Sequence, residues 1–257
     1  MRITSLSDTV DIAVDSFCEH GEIANFCLQL LADTVKIEEK SVGIDSSTLP
    51  SVIVYKWTGK NAGRRPECGV YMGPEKYGHQ IHLDCGLSDL CQAVFQFSHE
   101  YCHHLINGPL DGTDFRGLLW LEEVICTTMS LYVLRRLGEI PWLVQKCTRL
   151  GYRTPQSYLE LVCKHYPFEP RMQSREWLLR EAIPVLRSGT YQERLYILSA
   201  FLLLPLFESE TSLWRIVPYL SDATEIPSPE AFVCRLRSAS TIDATAVDSL
   251  KSYLCGR

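Results

Sequence analysis

The sequence predicts an α+β fold. Three features carry that reading. Residues 51–86 alternate short strand-like runs with glycine. From Ser88 onward the apolar spacing is helical to the end of the chain. Strands and helices are segregated, without the regular alternation of a βαβ chain.

Taken in order, residues 1–50 read as helical and then irregular. Ile23 to Val35 (IANFCLQLLADTV) has apolar residues at helical spacing, and Gly43 to Pro50 is a turn-rich connector. Strands are expected over Ser51–Trp57, Cys68–Met72 and Gln80–Asp84, the last as an edge strand. A helix is expected from an N-cap at Ser88 to Ile106, stopped by Asn107-Gly108-Pro109. A second helix starts near Thr113 or Asp114 and ends at Arg135-Arg136-Leu137-Gly138, with arginines in the last turn and glycine just past it. The most apolar run, Leu195 to Phe207, is too short to span a bilayer and contains Pro205, so it reads as a buried core helix.

Composition excludes several classes. The chain has 257 residues, 46% hydrophobic and 22% charged, which suits a globular protein able to bury a core without disulfide staples. Its net charge of −6 and the lack of a basic block argue against nucleic acid as a partner. The first residues, Met1 to Glu22, carry Asp8, Asp11, Asp15 and Glu19 and do not form a signal peptide. Eleven cysteines, an odd number without a Cys-x-x-Cys pair, suit free thiols in a reducing compartment. A cytoplasmic location with no membrane partner is expected.

The first long helix carries His99-Glu100-Tyr101-Cys102-His103, an H-E-x-x-H motif. Positions i and i+4 project from one helix face, one turn apart, so the two imidazoles can share one metal ion with Glu100 beside them. Chance would give on the order of 0.01 such motifs in a chain of this composition. The second helix is apolar except for Glu122 and Glu123. A carboxylate in a buried helix is costly unless paired or metal-bound. Glu123 shares a face with Thr127 and Ser130, the polar side, whereas Glu122 shares an apolar face with Cys126, Met129 and Val133. Glu123 is therefore the expected third ligand and Glu122 is not expected to affect the metal. His99, His103 and Glu123 form a catalytic zinc set, three protein ligands with a fourth position for water.

This combination resembles the gluzincin class of zinc metallopeptidases, which includes thermolysin. Trp120-Leu121-Glu122-Glu123 also resembles the Trp-Leu-Asn-Glu string of zinc aminopeptidases, but their Gly-x-Met-Glu-Asn motif is missing here. The layout, with His99-Glu-x-x-His-His-Leu105, is similar to the minimal ImmA/IrrE-type metallopeptidases. The resemblance covers about residues 50–137. It implies a zincin-like catalytic domain over residues 1–140, with a helical C-terminal subdomain over residues 141–257. It also implies that the strand bordering the cleft pairs with extended substrate, a use for Gln80–Asp84. Where thermolysin-like enzymes often carry an Asp four residues after the ligand Glu, this chain has Thr127, so the partners of the ligand histidines stay unassigned.

The expected reaction is hydrolysis of a peptide or protein substrate. Zinc would acidify its water and polarise the carbonyl, and Glu100 would take the proton and pass it to the leaving amine. A further donor for the oxyanion would come from Tyr152, Tyr158, His165, Tyr166, Tyr191 or Tyr196. His104 points about 100° away from His103 and reads as supporting or surface. Cys102 and Cys126 read as small buried hydrophobes, and His79 and His82 fall on opposite faces of a strand. The alternative is a regulatory or interaction protein with a structural or vestigial metal site. An intact Glu100 favours the enzyme, because such a site needs ligands but no base.

Overall fold

A strand pair precedes the first helix, where the sequence reading took residues 1–50 as helical and then irregular and expected no strand. In the computed structural model, β1 (Ile3–Ser5) pairs antiparallel with β2 (Val10–Ala13), and only then does α1 (Glu22–Val42) begin. The strands are short, and the Asp-rich N-terminus masks their apolar residues. α1 ends on Gly43, whose φ of 70° places it in the left-handed region and whose N–H bonds to Glu39 O. β3 (Val52–Lys56), β4 (Glu67–Val70) and β5 (His79–Leu83) follow close to the expected positions. The structure describes residues 3–13, 21–56, 58, 61–70, 77–85, 89–107, 118–189, 192–221, 228–239 and 241–256.

The sheet is small and mixed, in the order β1-β2-β3-β5-β4. β2 and β3 are parallel with α1 between them, a single βαβ connection within a fold that otherwise lacks that alternation. β5 runs parallel to β3 and antiparallel to β4. The edge assignment is corrected accordingly: β5 is interior and β4 is the edge. Register puts Val10, Ile12, Val52, Val54, Ile81 and Leu83 on one face, and all six belong to the main core.

The rest is helical, as expected. α2 (Leu90–Asn107) packs on β5 and β4, and α3 (Leu119–Gly138) packs against α2. Ser88, Thr113, Asp114 and the Gly108-Pro109 stop lie outside the described residues. The cap of α2 is Asp89, whose carboxylate accepts the N–H of Gln92 at 3.2 Å. Gly138 stays inside α3, and Glu139 caps it in right-handed geometry. The chain continues through α4 (Pro141–Arg149), α5 (Pro155–His165) and α6 (Arg175–Trp177). A π-helical segment, Leu178–Ala182, joins α6 to α7 (Ile183–Leu186). After these come α8 (Glu193–Ser209), α9 (Val217–Leu220), α10 (Pro229–Arg237) and α11 (Ala244–Cys255).

One hydrophobic cluster runs from Leu6 to Leu254 and includes residues of every long helix. α8 contains the apolar run read as a core helix and packs on α3, which brings the C-terminal half against the metal-motif helices. Among the described residues no single helix is long and apolar enough to cross a membrane; α8 and the following Thr211–Leu220 pass only as a pair bent by 114°. The ten described cysteines are free thiols, and Cys102 and Cys126 are fully buried.

Candidate metal centre

α2 lays a stripe along a cleft of about 540 Å³. Gln92, Phe95, His99, His103 and Asn107 follow one another at three- and four-residue steps, so they share the cleft-facing side. α3 crosses this stripe and adds Glu123. Edge strand β4 and the residues before it form one rim, and Tyr158 of α5 and Tyr196 of α8 form the other.

The three expected ligands come together. His103 Nε2 lies 3.2 Å from His99 Nε2 and 3.5 Å from Glu123 Oε1. His99 Nε2 lies 3.4 Å from Glu123 Oε2. Ligands near 2.05 Å from a tetrahedral ion are about 3.3 Å apart, which is the spacing of the two imidazole nitrogens, and each of these faces a different oxygen of Glu123. Among the described residues these three form the one His/Cys/Asp/Glu group whose ligand atoms all lie within 4.8 Å. Two neutral imidazoles and a carboxylate suit zinc.

The reading of Glu122 is corrected. Its Oε1 lies 2.7 Å from His103 Nδ1, and Asn107 Nδ2 lies 3.4 Å from the same oxygen. A proton on Nδ1 donates to Glu122 and leaves Nε2 facing His99 and Glu123. Glu122 and Glu123 are about 100° apart on α3, and His103 sits between them with one ring nitrogen for each. Sequence periodicity put Glu122 on an apolar face. It is indeed buried, but its carboxylate is used. Thr127 does not serve as a histidine partner: its hydroxyl donates to Glu123 O at 2.8 Å.

Electrostatics follow from this packing. Burial lowers the pKa of His103, but its hydrogen bonds with Glu122 and Glu123 outweigh burial and raise it well above the usual histidine range. Burial raises Glu123, and the bonds from His103 and His99 overturn that and hold its carboxyl far below the usual range. Both shifts have one cause, the contact of the imidazoles with the carboxylates, which favours positive charge between them.

Glu100 stands apart from the ligand set, as the helical geometry requires. It is only 6% exposed and lies against β4, where a backbone hydrogen bond from Cys68 reaches it. Burial raises its pKa, partly offset by His99 and His103. The Cys68 side chain lines the same wall; burial first, then the charge of Glu100, pushes its thiol up to about 12. Cys68 drew no notice in the sequence because only the β4–α2 packing brings it to the motif.

Among the six oxyanion candidates, Tyr158 and Tyr196 line the cleft. Burial raises the pKa of Tyr196, and the charge of Glu123 adds to it. Tyr152, His165 and Tyr166 are not part of the lining; Tyr166 donates to Glu193 at 2.7 Å. Tyr191 lies outside the described residues.

His104 is not at the surface. It is fully buried, stacks on Tyr101, and its Nδ1 lies 2.8 Å from His79 Nδ1. His79 and His82 do point to opposite faces: His79 faces α2, and His82 stacks on Tyr55 on the other side of the sheet.

Comparison with known protein families, with curated proteins and with solved structures returns no match to this chain.

Proposed function

We propose that this chain is a zinc-dependent peptidase with a zincin-like core, in which His99, His103 and Glu123 hold the ion and Glu100 is the general base. The observation that carries the reading is the cluster of the two imidazole Nε2 atoms, 3.2 Å apart, each facing one oxygen of Glu123 at 3.4 and 3.5 Å, with a buried carboxylate next to it but outside it. A zinc ion held there would supply Lewis acidity toward a carbonyl and lower the pKa of water.

The remaining chemistry falls to the protein. Glu100 takes a proton from the attacking water and returns it to the leaving amine, a role favoured by its raised pKa. Tyr196 is the donor we assign to the developing oxyanion. Among the described residues β4 is the last strand of the sheet and lies along the cleft rim, where an extended peptide can add as a further strand. A peptide substrate in the cytoplasm fits the acidic chain and its many free thiols.

Elemental analysis of the purified chain, paired with a broad peptide-cleavage screen of wild type and Glu100→Gln, tests the proposal. The expected result is about one zinc per chain in both proteins, with cleavage lost only in the variant. Undiminished cleavage by Glu100→Gln, or full zinc occupancy after replacing each of the three ligands by Ala, overturns it. A second reading rests on the 2.7 Å His103–Glu122 bond: a histidine held between two carboxylates is also a metal-free packing device, and a chain that binds no zinc would support that role.

A further inference from the structure

The metal cleft changes character along α2. From the ligands toward the C-terminal end of the helix its stripe is polar, through His103 to Asn107. In the other direction it passes His99 and reaches Phe95 one turn earlier, about 6 Å along the helix axis. Tyr158 of α5 meets this ring, with centroids 6.3 Å apart and planes tilted by 49°. Both residues line the cleft and both are only half-buried, whereas the other lining hydrophobes of α8, Tyr196 and Ile197, are buried. The pair thus leaves aromatic surface uncovered in a cleft whose centre is ionic.

This wall is fixed from both helices. Gln96, the neighbour of Phe95, has both ends of its amide engaged by the main chain of Asp84. It accepts the Asp84 N–H at 3.1 Å and donates to Asp84 O at 3.2 Å, which clamps α2 to the residue that follows β5. At the entry to α5, Arg153 pairs with Asp89 at the α2 cap, and its carbonyl oxygen accepts from Cys91 Sγ at 3.4 Å. Thr154, the next residue, caps α5 by accepting the Ser157 N–H at 3.2 Å. The position of Tyr158 against Phe95 is therefore set before any ligand arrives, and a preformed wall costs little reorganisation on binding.

We propose that Phe95 and Tyr158 form a subsite for an aromatic side chain of the bound peptide, within two residues of the bond beside the metal. The proposal rests on the reading of this cleft as a peptide site. An extended chain rises about 3.3 Å per residue, so the 6 Å from His99 to Phe95 spans about two residues. A third ring packs on a tilted pair at the centroid distances of about 4.5–7 Å that aromatic contacts favour. An acidic side chain would lose its hydration there, because the amide of Gln96 is already spent on Asp84. With Asn107 at the opposite end of the stripe, the aromatic preference belongs to one side of the bond only.

The test is fluorescence anisotropy with the full chain carrying Glu100→Gln, in the presence of zinc, so that peptides bind without being cleaved. Labelled ten-residue peptides of Ala and Ser carry Phe, Asp or Ala at one central position. The Phe peptide is expected to bind about tenfold more tightly than the other two. Adding Phe95→Ala is expected to bring the three affinities together. Phe95→Lys is expected to turn the preference toward the Asp peptide, a gain that misfolding cannot produce. Cleavage of the same peptides by wild type judges the hydrolytic reading separately. Cleavage by wild type with equal binding of the three peptides leaves that reading standing and overturns the subsite. A Phe preference that Phe95→Ala removes supports the subsite even where wild type cleaves none of them. A Phe preference that survives Phe95→Ala, or no binding of the Phe peptide at millimolar concentration, overturns it.

Discussion

His103 Nδ1 and Glu122 Oε1 are 2.7 Å apart, and that bond settles which nitrogen of His103 faces His99 and Glu123. It ties two adjacent glutamates of α3 to the two nitrogens of one ring. Removing the carboxylate frees the ring and lowers its basicity. Glu122→Ala is therefore expected to weaken zinc binding by about 10–100-fold, whereas Glu122→Gln, which keeps an acceptor oxygen, loses less. Titration against a chelator of known affinity measures both. Wild-type affinity in Glu122→Ala would mean that His103 is oriented by other contacts.

Tyr196 and Tyr158 share the cleft, and the charge of Glu123 adds to burial in raising the pKa of Tyr196, whereas burial and Asp89 lead for Tyr158. Tyr196→Phe is expected to retain zinc and to lower kcat by about 10²-fold with little change in KM, as loss of an oxyanion donor does. Tyr158→Phe is expected to change kcat little. The opposite ranking of the two variants would move the donor role to α5.

The His99–His103–Glu123 cluster was legible in the sequence because it depends on rules local to helices. The i, i+4 spacing fixes His99 and His103 on one face, and the polar side of α3 selects Glu123. What was not legible depends on contacts between distant segments. Glu122 looks idle on a helical wheel and acquires its role only when α2 and α3 cross. The β1–β2 pair escaped notice because strands of three and four residues leave too little alternation to read. The edge position of β4 follows from sheet order, to which a strand's own sequence is nearly blind.

Glu38 of α1 is fully buried, and among the described residues neither carboxylate oxygen completes a hydrogen bond, although Ser98 is near enough to pull its pKa down. Burial dominates, with Cys102 of α2 and Glu39 of α1 adding to it, and the pKa lies well above the usual glutamate range. The folded chain thus holds this proton more tightly than the unfolded chain. The resulting stability is complete below the unfolded pKa near 4.5 and is lost as pH rises toward the folded value. Glu38→Gln should therefore flatten the fall in stability with rising pH and stabilise the chain at pH 8 by about 1–3 kcal/mol. Urea denaturation at several pH values measures the effect. An unchanged pH slope would mean that Glu38 ionises without cost.

Gly78 and Gly69 lie in neighbouring positions of the sheet region and should respond oppositely to the same change. A Cβ at Gly78 would sit 2.3 Å from Pro50 Cβ, and the ring of Pro50 has no rotamer by which to withdraw. The Gly78 main chain is itself held, its N–H bonded to Ser51 O at 2.8 Å. Gly78→Ala therefore forces β5 away from the start of β3, and with it His79, the partner of His104 behind the metal helix. The expected cost is about 1–3 kcal/mol, the range for inserting a methyl group into packed structure. Among the described residues a Cβ on Gly69 of β4 would meet nothing within 4 Å, and its φ is not in the left-handed region, so Gly69→Ala is expected to be neutral or to stabilise by about 0.5 kcal/mol. Denaturation midpoints of the two variants decide the matter. Equal midpoints would mean that the Pro50 contact yields by backbone movement, and a drop in zinc affinity confined to Gly78→Ala would place the strain on the His79–His104 support of α2.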